Sequence, residues 1–485
     1  LPHSFNRLFK YDLSEVTGLD DLHNPDGLLK EALNATAEMF QVEQSFFSVN
    51  GASACLSAAC LALGQGGKVL VPQNAHKSVL SGLILSGATP VYYQPEWDAE
   101  WGVFKGVNPE SIKALLEKHE HIKGCFVTSP TYEGFATSIG KIVELCHAKE
   151  IPVIVDESHG GHLSLLGDGQ GAINGGADLV IHSAHKSLGA LTQTGLLHFQ
   201  SELINPKRIE ASLSLLQSTS PSFLLLTSLV EALKSLSKDV GPLIKQALNA
   251  REIKAELQKI AAVEVLENDA PSRVVVSVNG WTGEDLSEWL YANYKIETEL
   301  EGNKWVLLLI GLENKVTKFK SIVKAFKKAA ERKLTNYSTF DLLEAPALIT
   351  QAENPRSKFF KDTEPKIEFK CPPGIPDEIL KLREKFAVKP KEESQEDLED
   401  DDLDEDLDED EGDTLESLLA EKPTKKTEEA ENGKKEDAAP KVQDLKALFH
   451  SKKSSKEKND DKYLEFIDDD IYADDDFADE GAMSY

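Results

Sequence analysis

No stretch of the chain approaches the roughly 18 consecutive apolar residues that a membrane-spanning helix needs. The most apolar runs, Ala54–Leu63 and Phe223–Leu233, are short and broken by Ser or Thr, so no membrane span is expected. Cysteine is scarce. Cys55, Cys60, Cys125, Cys146 and Cys371 are an odd number, widely spaced, with no CxxC pair. That argues against a disulfide framework or a zinc site and for reduced thiols in a reducing compartment. Positive charge is short as well: 53 Lys/Arg face 83 Asp/Glu, a net of -30. No nucleic-acid partner is expected, because the strongest field on the chain repels phosphate. An initiator Met is also missing, and Leu1 reads as the start of a processed or truncated product, compatible with a plastid stroma or a cytoplasm.

What is present is unevenly distributed. Residues 391–485 hold 36 Asp/Glu and 13 Lys, a net of -23, whereas residues 1–390 carry only -7. With 485 residues the chain exceeds one ordinary domain. The pattern divides it into a major domain over 1–235, a small α/β domain over 236–335, a Pro-punctuated segment over 336–390 and an acidic tail over 391–485. The tail's Leu-Asp-Glu-Asp repeats lack the apolar residues to offset the entropy of ordering, so disorder is expected there. Acids mixed with Tyr463, Phe466, Tyr472 and Phe477 read equally as solvated filler or as a docking motif for a protein partner.

Within the first domain, short apolar runs alternate with amphipathic stretches. Ser45–Val49, Lys68–Val71, Pro90–Tyr93, Cys125–Thr128, Pro152–Val155, Leu179–His182 and Gly195–Phe199 read as strands, and Pro109–His119 and Ile139–Lys149 as helices. Such alternation predicts an α/β fold built on a mostly parallel sheet covered on both faces. The second domain reads as a helix over Val240–Lys259, strands at Val263–Leu266 and Arg273–Val278, and a helix at Gly283–Asn293. Strands at Lys295–Glu299 and Trp305–Leu309 follow, then a basic helix at Lys315–Arg332 with a solvated lysine face.

Two segments carry the chemistry. Val153-Ile-Val-Asp-Glu-Ser-His159 and Leu179-Val-Ile-His-Ser-Ala-His-Lys-Ser187 are each an apolar strand ending in reactive side chains. Asp156 and Lys186 lie far enough apart for one crossover, which places both at one edge of a parallel sheet. An Asp and a Lys so placed are what pyridoxal phosphate needs. The amine forms a Schiff base with the aldehyde, and the carboxylate keeps the ring nitrogen protonated. Asn50-Gly-Ala-Ser-Ala54 joins a strand to a helix, so amides there, with Ser183 and His185, are candidates to hold a phosphate. His76 follows a strand at the same edge, where its ring suits stacking. Taken singly, each feature also suits a cap, a metal ligand or a solvated turn; the joint order is what points to a cofactor.

These residues sit in text that resembles the large-type Orn/Lys/Arg decarboxylases, a group of bacterial and cyanobacterial basic amino-acid decarboxylases. The resembling segments include Asp12–Gly27, Asn74-Ala-His-Lys-Ser78, Thr128-Ser-Pro-Thr-Tyr132, Val155–His162, His185–Gln193 and Leu215–Ser222. The resemblance implies the PLP-dependent transferase fold type I, with a seven-stranded, mostly parallel sheet. It implies pyridoxal 5'-phosphate held by Lys186, Asp156, His76, Ser53, Ala54, Ser183 and His185. It assigns Lys186 as the Schiff-base lysine, Asp156 as the ring-nitrogen partner and His76 as the stacking imidazole, with Lys186 or His185 as the acid that protonates Cα. It also implies a homodimer with shared sites, in which Ser218, Thr219 and Ser220 reach the neighbouring cofactor. The expected reaction is decarboxylation of arginine, lysine or ornithine to the amine.

The chain departs from the family at three places. Ala52 removes a hydroxyl from the phosphate loop, a loss on the order of 1.5–3 kcal/mol for a bond to a charged group. Ser158 replaces the usual Ala. Asn354–Phe360 and Cys371–Pro376 resemble family segments at compressed spacing, with the family's C-terminal domain replaced by the tail. These departures motivate a second reading, a scaffold or assembly subunit acting through its acidic tail. Another reaction on the same fold is a third.

Overall fold

A computed structural model describes residues 12–13, 19–166, 171–312, 316–332, 343–349 and 354–362. Most of 336–390, including Cys371–Pro376, and all of the acidic tail lie outside the described residues.

In chain order the first half runs α1 (Leu28–Phe40), β1 (Gln44–Ser48), α2 (Gly51–Ala62), β2 (Lys68–Pro72), α3 (Lys77–Ser86), β3 (Thr89–Tyr93), the hairpin β4 (Trp97–Asp98) and β5 (Val103–Phe104), α4 (Pro109–Lys118) and β6 (Ile122–Thr128). It continues with α5 (Ile139–His147), β7 (Val153–Asp156), β8 (Leu179–Ser183), α6 (Ala184–Ser187), β9 (Gly195–Phe199), α7 (Pro206–Leu216) and α8 (Phe223–Lys238). Seven of these strands form one sheet in the order β1-β9-β8-β7-β6-β2-β3. The pairs from β8 to β3 are parallel, and β9 is antiparallel to both its neighbours. The mostly parallel sheet is the one expected from the alternating pattern, and its seven strands are what the family resemblance implies.

Alternate residues of the central strands feed two separate cores. Val153 and Val155 of β7 pack on one face, Ile154 on the other. A strand buried on both faces has no use for polar positions, which is why these segments read as continuous apolar runs. Helix starts are set locally. Asn108 and Asn205 accept hydrogen bonds from Glu110 N and Lys207 N, each with proline in the first turn.

On one face of the sheet, α2 and α3 pack through Gly82. A Cβ built there would lie 2.6 Å from Cys60 Sγ, 2.7 Å from Cys60 Cβ and 3.0 Å from Ser57 Cα. Gly82→Ala is expected to destabilise the fold by about 1–3 kcal/mol through overpacking, read as a lower urea midpoint at unchanged slope.

The second half holds α9 (Gly241–Gln258), β10 (Val263–Val265), β11 (Arg273–Val278), α10 (Gly283–Tyr294), β12 (Leu300–Glu301), β13 (Trp305–Leu309), α11 (Val316–Glu331) and α12 (Pro355–Asp362). Its antiparallel sheet has the order β10-β11-β13-β12. Val274, Val276 and Val278 face a core shared with α9–α11, whereas Val275 joins Trp101 and Val103 of the hairpin region. Trp305 Nε1 donates to Trp101 O at 2.7 Å, which fastens this sheet to the loops beside the larger one.

One sequence expectation needs correction. Lys295–Glu299 is not a strand. Lys295 ends α10 in the left-handed region (φ 55), and regular pairing begins only at Leu300. The helix that begins at Phe223 runs on to Lys238. The stretch Leu28–Phe40, unassigned from sequence, is an amphipathic helix that buries Leu29, Ala37 and Phe40. Lys320, Lys324, Lys327 and Lys328 are exposed, as a solvated face requires.

Candidate active site

Strands β7 and β8 are parallel neighbours with Asp156 opposite Ile181, so their C-terminal ends reach the same edge. A cavity of about 770 Å³ opens at that edge. Its lining brings together Ser53, His76, Asp156, Ser183, His185 and Lys186. Four separate connections (β1–α2, β2–α3, β7 and β8–α6) deliver them to one place.

Asp156 is buried at 6% exposure. Its Oδ1 accepts from the Ser158 backbone N at 3.1 Å and the Ser158 hydroxyl at 2.5 Å. Ser158, a small difference on paper, is therefore a direct partner that fixes the carboxylate's rotation. Lys186 begins the chain's return after β8. Its Nζ lies 3.1 Å from His159 Nε2 and 5.6 Å from the centre of the Tyr132 ring. The residue lines the cavity and is partly open to solvent, and partial burial lowers its pKa. Asp156 and Glu299 oppose that shift and Arg273 adds to it.

His76 caps α3. Its Nδ1 accepts from Ser78 N at 3.2 Å, which leaves the proton on Nε2. Burial is the main reason its pKa is lowered, against the pull of Asp156. His185 Nδ1 lies 3.2 Å from Ser183 Oγ, tying two of the phosphate candidates together. Helix α2 starts at the cavity with Ala52 and Ser53 on the lining. Gly195 makes this possible, since a Cβ there would lie 2.7 Å from Ala52 N. Only glycine lets β9 pass so close to the helix start.

Two groups of sequence candidates fall elsewhere. Ala54 is not among the lining residues. The helical period turns its side chain, with Cys55 and Ala58, towards the apolar interior, while residues 51, 52, 53 and 56 of α2 line the cavity. Ser218, Thr219 and Ser220 are exposed and do not line the chain's own cavity; the Ser218 carbonyl meets His23 Nε2 at 2.9 Å. Sequence reasoning also missed several lining residues: Asn74, Tyr132, Glu133 and His159. His159 had a signal, three residues after Asp156 in the same motif. Arg273, which packs behind the lining against His159, had none beyond a lone charge before an apolar strand.

His159 is buried, and its Nδ1 meets the Arg273 guanidinium. Burial, Arg273 and Lys186 together push its pKa down to about 2, so the ring is neutral. Arg273 also donates from Nε to Tyr132 O at 3.0 Å. Tyr132 in turn donates to Glu299 at 2.9 Å. Behind the site, Glu157 Oε2 holds His182 Nε2 at 2.8 Å, and His182 Nδ1 meets His198 Nε2 at 3.1 Å. This fully buried chain braces β7, β8 and β9 beneath Asp156.

Residues 4–290 match the Orn/Lys/Arg decarboxylase major domain. The chain is 36% identical over 370 residues to an arginine decarboxylase of Bacillus cereus, covering 73% of this chain and 80% of the relative. The chain belongs to the Orn/Lys/Arg decarboxylase family. Within the family it is also 28% identical over 243 residues to the lysine decarboxylase LdcA of Pseudomonas aeruginosa, covering 45% of this chain and 32% of that one. Among solved structures, the constitutive lysine decarboxylase of Escherichia coli superposes with a TM-score of 0.59 at 20% identity, over 67% of this chain and 55% of that chain. The ureidoglycine-glyoxylate aminotransferase of Bacillus subtilis superposes with a TM-score of 0.52 at 16% identity, over 68% and 89%. This decarboxylase-family chain thus spans about half the length of the solved lysine decarboxylase and most of the arginine decarboxylase.

The cofactor implied by the family and fold is pyridoxal 5'-phosphate, and the residues present fit it. A buried carboxylate and an amine share one cavity with the start of a 12-residue helix. Two buried lining oxygens, Asn50 Oδ1 and Asn74 Oδ1, have no hydrogen-bond partner among the described residues and so retain acceptor capacity for a polar occupant. Among the described residues no group of His, Cys, Asp and Glu is arranged for a metal ion, and no helix is long and apolar enough to cross a membrane.

Proposed function

We propose that the chain removes the α-carboxyl group of a basic amino acid, arginine in the first place, with pyridoxal phosphate as cofactor. The observation that carries this reading is the shared cavity of Lys186 and Asp156, in a chain that aligns with an arginine decarboxylase over 80% of that relative. Glu133 and Asp156 on the lining give the cavity a negative character that suits a cationic substrate. Burial raises the pKa of Glu133, a strain on its charge that a bound cation relieves.

When bound, the cofactor supplies an aldehyde for the Lys186 amine and a ring that accepts the electron pair of the breaking C–C bond. Asp156, oriented by Ser158, holds a proton at the ring nitrogen. Lys186 is the nucleophile, and its lowered pKa favours the neutral amine that nucleophilic attack requires. Its amine would also be placed to deliver a proton to the substrate's Cα. His185 is the second candidate for that proton. His76 offers a ring face, and Ser53, Ser183 and His185 offer donors to the phosphate. The exposed Ser218, Thr219 and Ser220, next to a largely exposed Leu215, fit a homodimer in which they complete a neighbour's site.

The test is product analysis of the cofactor-loaded chain with arginine, lysine and ornithine supplied separately. Agmatine from arginine is expected to dominate. A keto acid in place of an amine would point to transamination instead. No product from any of the three would remove the enzymatic reading.

A further inference from the structure

We propose that Arg273, acting through His159, fixes the direction of a hydrogen bond that makes the Lys186 amine an acceptor. The argument is an inventory of donors. A guanidinium has five N–H donors and no acceptor. Its contact with His159 Nδ1 therefore makes that nitrogen the acceptor. A neutral imidazole carries one N–H, which must then sit on Nε2. Nε2 lies 3.1 Å from Lys186 Nζ, so His159 donates and Lys186 accepts. Only the neutral amine has a lone pair to do so; an ammonium would meet a donor head-on.

The pair is firmly held. Arg273 is 4% exposed and is anchored on a second side by its bond to Tyr132 O, while Tyr132 packs its ring 4.5 Å from that of His159. Arg273 sits in the small sheet, so that sheet imposes a protonation state on a residue of the large one. The other charges facing the amine are Asp156 and Glu299, which favour the ammonium. His76 and His185 face the His159 ring, and both disfavour its protonation. Arg273 and His159 are positioning residues here. The inference rests on the reading of Lys186 as the cofactor's nucleophile. Condensation of a neutral amine with an aldehyde forms the C=N bond and releases the carbonyl oxygen as water. A protonated amine must first lose a proton to the solvent.

The test titrates the amine directly. Full-length apoprotein is trace-labelled with acetic anhydride across a pH series, and acetylation of Lys186 is quantified by mass spectrometry. Arg273→Met and His159→Ala are expected to move the midpoint upward by at least about one pH unit, a tenfold loss of reactivity at neutral pH. His159→Gln is expected to keep the wild-type midpoint. Its amide oxygen can accept from Arg273 while its NH₂ donates to Lys186. If Arg273→Met does not fold, the two His159 variants decide alone. Equal midpoints for wild type and His159→Ala, or a His159→Gln midpoint shifted as far as that of His159→Ala, would overturn the proposal. The labelling needs no turnover, so its failure is separable from failure of the decarboxylase reading.

Discussion

Lys186→Ala is expected to lose the visible absorbance of the bound cofactor and at least about a thousandfold of turnover. The residue is the one amine on the lining of the cavity, 3.1 Å from His159 and in the field of Asp156. On the proposed reading, removing it takes away both the anchor of the cofactor and a proton donor to Cα. Two roles in one residue give a loss larger than a single positioning contact would. Absorbance spectra of the purified variant after incubation with pyridoxal phosphate, beside the rate of amine formation, measure both effects. Retention of the band in Lys186→Ala would assign the anchor to another amine.

Asp156→Asn separates electronics from binding. The amide keeps the size of the carboxylate and an oxygen able to accept from Ser158, so the cofactor is expected to remain bound through Lys186. What is lost is the negative charge that holds a proton on the ring nitrogen. Charge placed in advance in a buried site is typically worth about a hundred- to a thousandfold in rate, and a loss of that size is expected in kcat with the visible band preserved. Asp156 sits at 6% exposure, where no water can take over its role cheaply. A band that disappears together with activity would show that Asp156 serves binding instead.

The large sheet was legible because its strands are buried on both faces. Gly195–Phe199 and Arg273–Val278 have the same limits in sequence and structure, since each is a mostly apolar segment bounded by turn residues. Lys295–Glu299 misled for a local reason: a lysine can end a helix in a left-handed conformation without any glycine to announce it. The reactive residues were legible where they follow a strand in a short motif, as Asp156, Ser183, His185 and Lys186 do. Which side chains of the following helix face the cavity was not legible, because loop text does not tell which turn of that helix points there, and Ala54 does not line it. Arg273 was invisible because its contact with His159 joins residues 114 positions apart. Nothing in the periodicity of an apolar strand says where its first side chain will land. The acidic tail, the strongest feature of the composition, lies outside the described residues.

The central claim is that Lys186 and Asp156 together serve the loss of a carboxyl group. It is tested most directly by incubating the cofactor-loaded chain with arginine labelled in its carboxyl carbon and collecting the gas released. The account predicts labelled carbon dioxide in step with agmatine from the wild-type chain and none above background from Lys186→Ala. Labelled carbon dioxide at equal rates from both, or none from the loaded wild-type chain with arginine, lysine or ornithine, would contradict it.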